Sequence, residues 1–156
     1  MNNKERNEKI LQLTCEMLGK MNFEVDKAFA EDMEGEENQV LIGLTVANPA
    51  GLIGFRGRNL AAIQLILSLA VKNSLGEWVR ILLDVNNYRQ EQKERLESMA
   101  KGLAEKVLTT GIAAEMTNMS SYERRLCHMA IAEMEGISSE SEGEGEERHI
   151  VIKPKA

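Results

Sequence analysis

The sequence is poor in the residues that most often carry catalysis or cross-link small folds. Two histidines and two cysteines occur in 156 positions. Cys15 and Cys127 stand in separate segments, outside any CxxC pair or Cys/His array with zinc spacing, which argues against a structural disulfide and against a zinc finger. No Ser/His/Asp series, paired-carboxylate motif or phosphate-binding P-loop can be assembled, so the expectation is a protein that is not an enzyme and has no cofactor or metal. Aromatic residues make up only 4% and proline occurs twice, so each marks a particular place and not a general texture. Long hydrophobic runs are also missing. The longest, Leu60 to Val71, is interrupted by Gln64 and Ser68 and is too short to span a bilayer. The first nine residues are polar and charged, unlike a secretory leader. The expectation is a reducing cytoplasm without membrane insertion.

What the chain does have is periodic apolar sequence, at 43% hydrophobic residues, enough to offset the ordering entropy of one ordinary domain or two small ones. The net charge of -6 opposes nucleic-acid binding when taken as a whole. Its distribution does not. Residues 38–86 hold four basic and two acidic side chains, while each of the flanking segments is net acidic.

Ile10, Leu13, Met17, Leu18 and Met21 recur at three- and four-residue spacing, predicting an amphipathic helix over residues 5–20. From Phe23 the period becomes two. Phe23, Val25 and Phe29, an acidic turn at Gly35, then Val40, Ile42, Leu44 and Val46 predict an antiparallel hairpin. Pro49 and Gly51 end the second strand. A short helix, a turn at Gly54–Gly57 and a long helix to Asn73 follow, then a strand over Trp78–Val85. The predicted order is α-β-β-α-α-β.

A boundary is expected at Asn86 and Asn87, giving domains at 1–86 and 87–156. Asn87 with Gln90 resembles a capping box for a helix reaching Gly111. Ile112–Met116 reads as a short strand. Ser120 with Glu123 reads as a second capping box, opening a helix that carries Leu126, Met129, Ala130 and Met134. Met116, Met119, Met129 and Met134 are expected to fill a core. The tract Ser138–Glu147 reads as a loop, and His149–Lys153 as a final strand.

Two constellations carry chemistry. At Gly54-Phe55-Arg56-Gly57, two glycines without Cβ atoms allow a nucleic-acid backbone to approach the peptide closely. The next helix offers its N-terminus to phosphate, Arg56 and Arg58 add full charges, and Leu52 and Ile53 would floor the groove. The second constellation is Arg124 with His128, four apart on one helical face. Arginine presents a planar fork to phosphate, and histidine can donate to an oxygen or stack on a base.

The segment GLIGFRGRNL at 51–60 resembles the signature of a type II KH domain. DVNNYR at 84–89, YERRLCH at 122–128, SEGEGE at 141–146 and VIKP at 151–154 extend the resemblance to the Jag (SpoIIIJ-associated) family of bacteria, from about residue 5 onward. The resemblance implies an α+β protein: a type II KH domain followed by a small α/β Arg-x-x-x-His (R-three-H) domain. It also implies nucleic-acid contact by Arg124 and His128, with Arg125, Arg148 and Lys153 as weaker candidates. There are two departures. The N-terminal domain that many members carry ahead of the KH domain is missing from this sequence, and Phe55 stands where a basic residue is common, exchanging a phosphate contact for a ring that can stack on a base.

The function expected from these readings is sequence-tolerant binding of single-stranded RNA, with single-stranded DNA as the neighbouring possibility. The alternative is a protein-interaction module of the cell-envelope growth or division machinery, pairing with another KH protein or with itself.

Overall fold

A computed structural model describes residues 1–155. It divides into two compact units, Met1–Arg89 and Gln90–Ala156.

The first unit opens with α1 (Asn3–Lys20), followed by β1 (Lys27–Asp32) and β2 (Gln39–Thr45). Next come α2 (Ala50–Ile53), a 3-10 turn (Phe55–Gly57), α3 (Arg58–Leu75) and β3 (Arg80–Val85). A complete capping box starts α1: Asn2 Oδ1 accepts from the Glu5 backbone N–H while the Glu5 carboxylate accepts from the Asn2 N–H. Residues 23–26 and 78–79, which the alternating pattern assigns to strands, lie outside them. Phe23 and Val25 still pack against the core, so the alternation there reports burial and not pairing.

The strands form one sheet in the order β1-β2-β3, β1 antiparallel to β2 and β2 parallel to β3. In the parallel register Val40, Ile42 and Leu44 stand opposite Ile81, Leu83 and Val85. All six are buried, with Ile10 and Leu18 of α1 and Leu60, Ile63, Leu67 and Val71 of α3 completing the core. A period of two on the strands and three to four on the helices is what places these residues on facing surfaces. Arg6 is also buried, its guanidinium paired with the Asp32 carboxylate across from α1 to β1.

The second unit contains most of α4 (Tyr88–Thr110), then β4 (Ala114–Glu115), α5 (Ser121–Ala132), β5 (Ile137–Glu142), a 3-10 turn (Gly145–Glu147) and β6 (His149–Pro154). Its sheet has the order β4-β6-β5, antiparallel throughout. Leu96, Ala100, Ala104 and Val107 of α4 bury one stripe, joined by Leu126, Cys127 and Ile131 of α5 and by Ile137, Ile150 and Ile152.

Several expectations need correcting here. The tract Ser138–Glu147 is not a loop: its first half is β5, paired residue for residue with β6. Serine and glutamate have no strong strand preference, and it is the central strand β6 that imposes the conformation. Asn87 does not cap α4 in the usual extended geometry, since its φ is +59°; Asp84 Oδ1 instead accepts from the Arg89 N–H at 3.3 Å. At α5, Ser120 Oγ accepts from the Glu123 N–H at 3.3 Å, but the Glu123 carboxylate reaches the Ser120 hydroxyl and not its backbone. Met116 and Met119 are buried, whereas Met129 is exposed and fills no core. No helix among the described residues is long and apolar enough to cross a membrane.

Candidate nucleic-acid interface

The corner between α2 and α3 is built by backbone conformations that few residues tolerate. Gly54 has φ +71° and ψ -174°, a region open essentially to glycine alone, and a Cβ there would meet Asn59 Cγ at 2.4 Å. Asn59 occupies that space to donate from Nδ2 to the Gly51 carbonyl at 2.9 Å, tying the first turn of α3 to α2. Gly57 sits in the left-handed region at φ +77°, with the Tyr88 ring 3.2 Å from where a Cβ would stand. Between them Arg56 is left-handed as well, at φ +53°. A non-glycine residue held there is strained, and strain of this kind concentrates at ligand sites.

The consequence is a tight, outward-facing loop. Phe55 is 68% exposed, and the guanidinium carbons of Arg56 and Arg58 lie 5.2 and 5.7 Å from its ring centroid. At these distances both cations interact with the ring face, which holds two positive charges around one exposed aromatic surface. Leu52 does not share this surface. It is wholly buried in the core and supports the corner from below, while Ile53 is half-buried against the same core.

In the second unit Arg124 and His128 lie on α5, one turn apart. Arg124 is anchored at its base: its guanidinium donates to the Met119 carbonyl at 2.7 Å and to Ser121 Oγ at 3.2 Å. His128 is clamped more completely. Nδ1 is 2.7 Å from Ser139 Oγ and Nε2 is 2.9 Å from Ser141 Oγ, both serines on β5. A neutral imidazole suits this arrangement, since one nitrogen donates to a hydroxyl and the other accepts from one. Burial, and secondarily the positive charge of Arg124, hold the His128 pKa below its ordinary value of 6.5. With both ring nitrogens engaged, the edge of the ring is committed to β5.

The other basic candidates fare differently. Arg125 is exposed. Arg148 donates to the Gly143 carbonyl at 2.9 Å, bracing the turn before β6. Lys153 is paired internally, 2.9 Å from Glu140 and 3.2 Å from Glu142, so those carboxylates compete with a phosphate for its charge. Its hydrogen bonds to those carboxylates, Glu140 first, raise its pKa. Cys127 is buried 3.8 Å from the Met119 sulfur, and desolvation, with Glu123 and Glu97 nearby, pushes its thiol up to about 11, leaving it unreactive.

Ser139 and Ser141 are functional neighbours that sequence reasoning passes over. Their two-residue spacing is the only hint, visible once the tract is recognised as a strand whose alternate residues face α5. Asn59 is the other omission, marked only by its place two residues after Gly57.

Comparison with known proteins is consistent with this geometry. An R-three-H domain matches residues 94–154. RNA-binding protein KhpB of Clostridium symbiosum is 32% identical over 148 residues, covering 95% of this chain and 66% of the relative. The proteins of the same name from Bacillus subtilis and Streptococcus pneumoniae are 36% and 29% identical, over 72% and 95% of this chain. The chain spans 55% and 46% of the length of those two relatives. It belongs to the Jag (SpoIIIJ-associated) family of proteins that carry an R-three-H domain.

Proposed function

We propose that this chain binds single-stranded RNA through two sites: the Gly54–Arg58 corner of a type II KH domain at 1–86, and Arg124 with His128 in the R-three-H domain at 87–156. The observation that carries the reading is the exposed Phe55 ring with the Arg56 and Arg58 guanidinium carbons 5.2 and 5.7 Å from its centroid. An aromatic face takes a base of any identity by stacking, and flanking cations take the phosphates on either side. The relatives named RNA-binding proteins point to the same partner. In the second site Arg124 supplies charge, and His128, its nitrogens held by Ser139 and Ser141, offers the ring face. Two weak sites on one chain reinforce each other on a long strand, because the second contact becomes intramolecular.

The test is RNA recovery after crosslinking in cells, comparing the parent chain with Gly57→Asp. Aspartate tolerates the left-handed conformation of Gly57 better than most residues and places negative charge beside Arg56 and Arg58. The expected result is a folded variant that retains little RNA; equal recovery would overturn the corner as a binding site.

A second reading is favoured by one feature of α3. Leu65, Ile66 and Leu69 share one face of the helix and are 61%, 54% and 48% exposed. An apolar stripe of this kind suits pairing with another KH protein or a second copy, with RNA contact secondary. Sedimentation of the parent chain and of Ile66→Glu distinguishes the two: pairing predicts a dimer lost in the variant, with RNA recovery unchanged by Gly57→Asp.

A further inference from the structure

We propose that Glu115, Glu142 and His149 form a binding site for a divalent transition-metal ion, zinc by preference, that clamps the short strand β4 onto β6 and β5. One ligand atom from each of the three lies within 4.8 Å of the others. The register brings them together. His149 stands directly opposite Glu142 in the β5–β6 pair, and Glu115 stands opposite Val151, two residues along β6 and therefore on the same face. They come from three neighbouring strands, with Glu115 far from the other two in the sequence, which is why a search by ligand spacing passes over them.

The histidine argues for a cation more strongly than the carboxylates do. His149 Nδ1 lies 2.9 Å from the Glu147 carbonyl oxygen. A carbonyl can only accept, so Nδ1 donates to it and Nε2 is the ring nitrogen turned toward Glu115. That Nε2 is buried and has no hydrogen-bond partner. Glu115 Oε1 stands 3.8 Å from it, beyond hydrogen-bonding reach. A cation held between Nε2 and the Glu115 carboxylate gives the buried nitrogen the partner it lacks. A backbone carbonyl fixing the tautomer through the far ring nitrogen is the usual outer-shell arrangement of a metal-bound histidine.

The donor set selects the ion. One imidazole and two carboxylates suit zinc and its neighbours better than magnesium or calcium, which prefer all-oxygen cages. Zinc bonds of about 2.0–2.2 Å require the three donors to draw together slightly, which the side chains of Glu115 and Glu142, 69% and 45% exposed, can do by rotation. Glu142 accepts from Lys153 at Oε1, and its second oxygen gives the carboxylate capacity for another partner. The charge of the ion balances the two glutamates. A clamp has mechanical meaning here, because β4 is held to β6 through only two register positions.

The test uses the full chain, stripped with chelator and carrying Cys15→Ser so that the exposed thiol cannot compete for the ion. Calorimetric titration with zinc chloride is expected to give one ion per chain. His149→Asn and Glu142→Gln are expected to abolish that binding, and Glu115→Gln to weaken it by more than ~10-fold. Glu115 is largely exposed, so its exchange leaves the fold intact and keeps the test decisive if His149→Asn is unstable. Nitrogen NMR provides a second readout, in which zinc should shift the Nε2 resonance of His149 while Nδ1 stays protonated. Absence of saturable binding, equal affinity in all three variants, or a doubly protonated His149 ring unmoved by zinc would each overturn the proposal.

Discussion

Asn86 adopts a left-handed φ of +50° because its side chain replaces a strand partner. Its Oδ1 accepts from the Val46 N–H and its Nδ2 donates to the Val46 carbonyl, both at 2.9 Å, continuing the pairing of β2 with β3 for one further step. Asn86→Ala removes both bonds and leaves alanine in a conformation it resists, so urea unfolding should show a loss of about 2–3 kcal/mol. His128 makes a prediction of opposite character, in pH and not in packing. Its folded pKa lies below the ordinary 6.5, so the unfolded chain takes up the proton first as pH falls. The sign follows directly. The contribution of the neutral ring is complete above the ordinary value and is lost as pH drops below it, until the folded ring also protonates. Urea midpoints measured from about pH 8 to about pH 5 should fall in the parent and fall less in His128→Gln.

At the level of elements, the α2–α3 corner depends on one glycine that admits no substitute. Gly54→Ala must displace Asn59 from a space 2.4 Å away and break its bond to the Gly51 carbonyl, in a backbone region alanine does not populate. Its expected cost is about 1–3 kcal/mol, with RNA affinity lost together with the geometry. Gly57 differs, because the left-handed region is more open to aspartate and asparagine, and a new Cβ there meets the Tyr88 ring at 3.2 Å, which asks for a smaller shift than at Gly54. Strand β5 shows the reverse dependence. Nothing in Ser-Ser-Glu-Ser-Glu demands a strand, and yet its alternation places Ser139 and Ser141 toward His128 while Glu140 and Glu142 face the other way, toward Lys153. Removing both hydroxyls in a Ser139→Ala, Ser141→Ala chain should leave the strand paired and lower RNA affinity through a loosened His128 ring.

On the scale of the whole molecule, the proposed RNA binding by so acidic a chain must run through few charges. With two to four phosphates neutralised, the slope of log affinity against log salt should lie at about -1.4 to -2.8 in a filter-binding titration. A slope near zero would remove the arginines from the account. The apolar periods of α1, α3, α4 and α5, the alternation in β2 and β3, and the glycine-flanked arginines are all local properties, and the sequence by itself determined them, because each follows from the spacing of a few neighbouring residues. Phe23 and Val25 show the limit of that logic: the same alternation buries side chains without forming a strand. Tertiary structure alone decided that Leu52 lies under the corner and not on it, that Lys153 is paired with two glutamates, and that His128 is gripped by two serines. It also decided that Glu115, Glu142 and His149 meet. These meetings depend on which strand pairs with which and on how the helices pack against the sheets, and neither is written in any single segment.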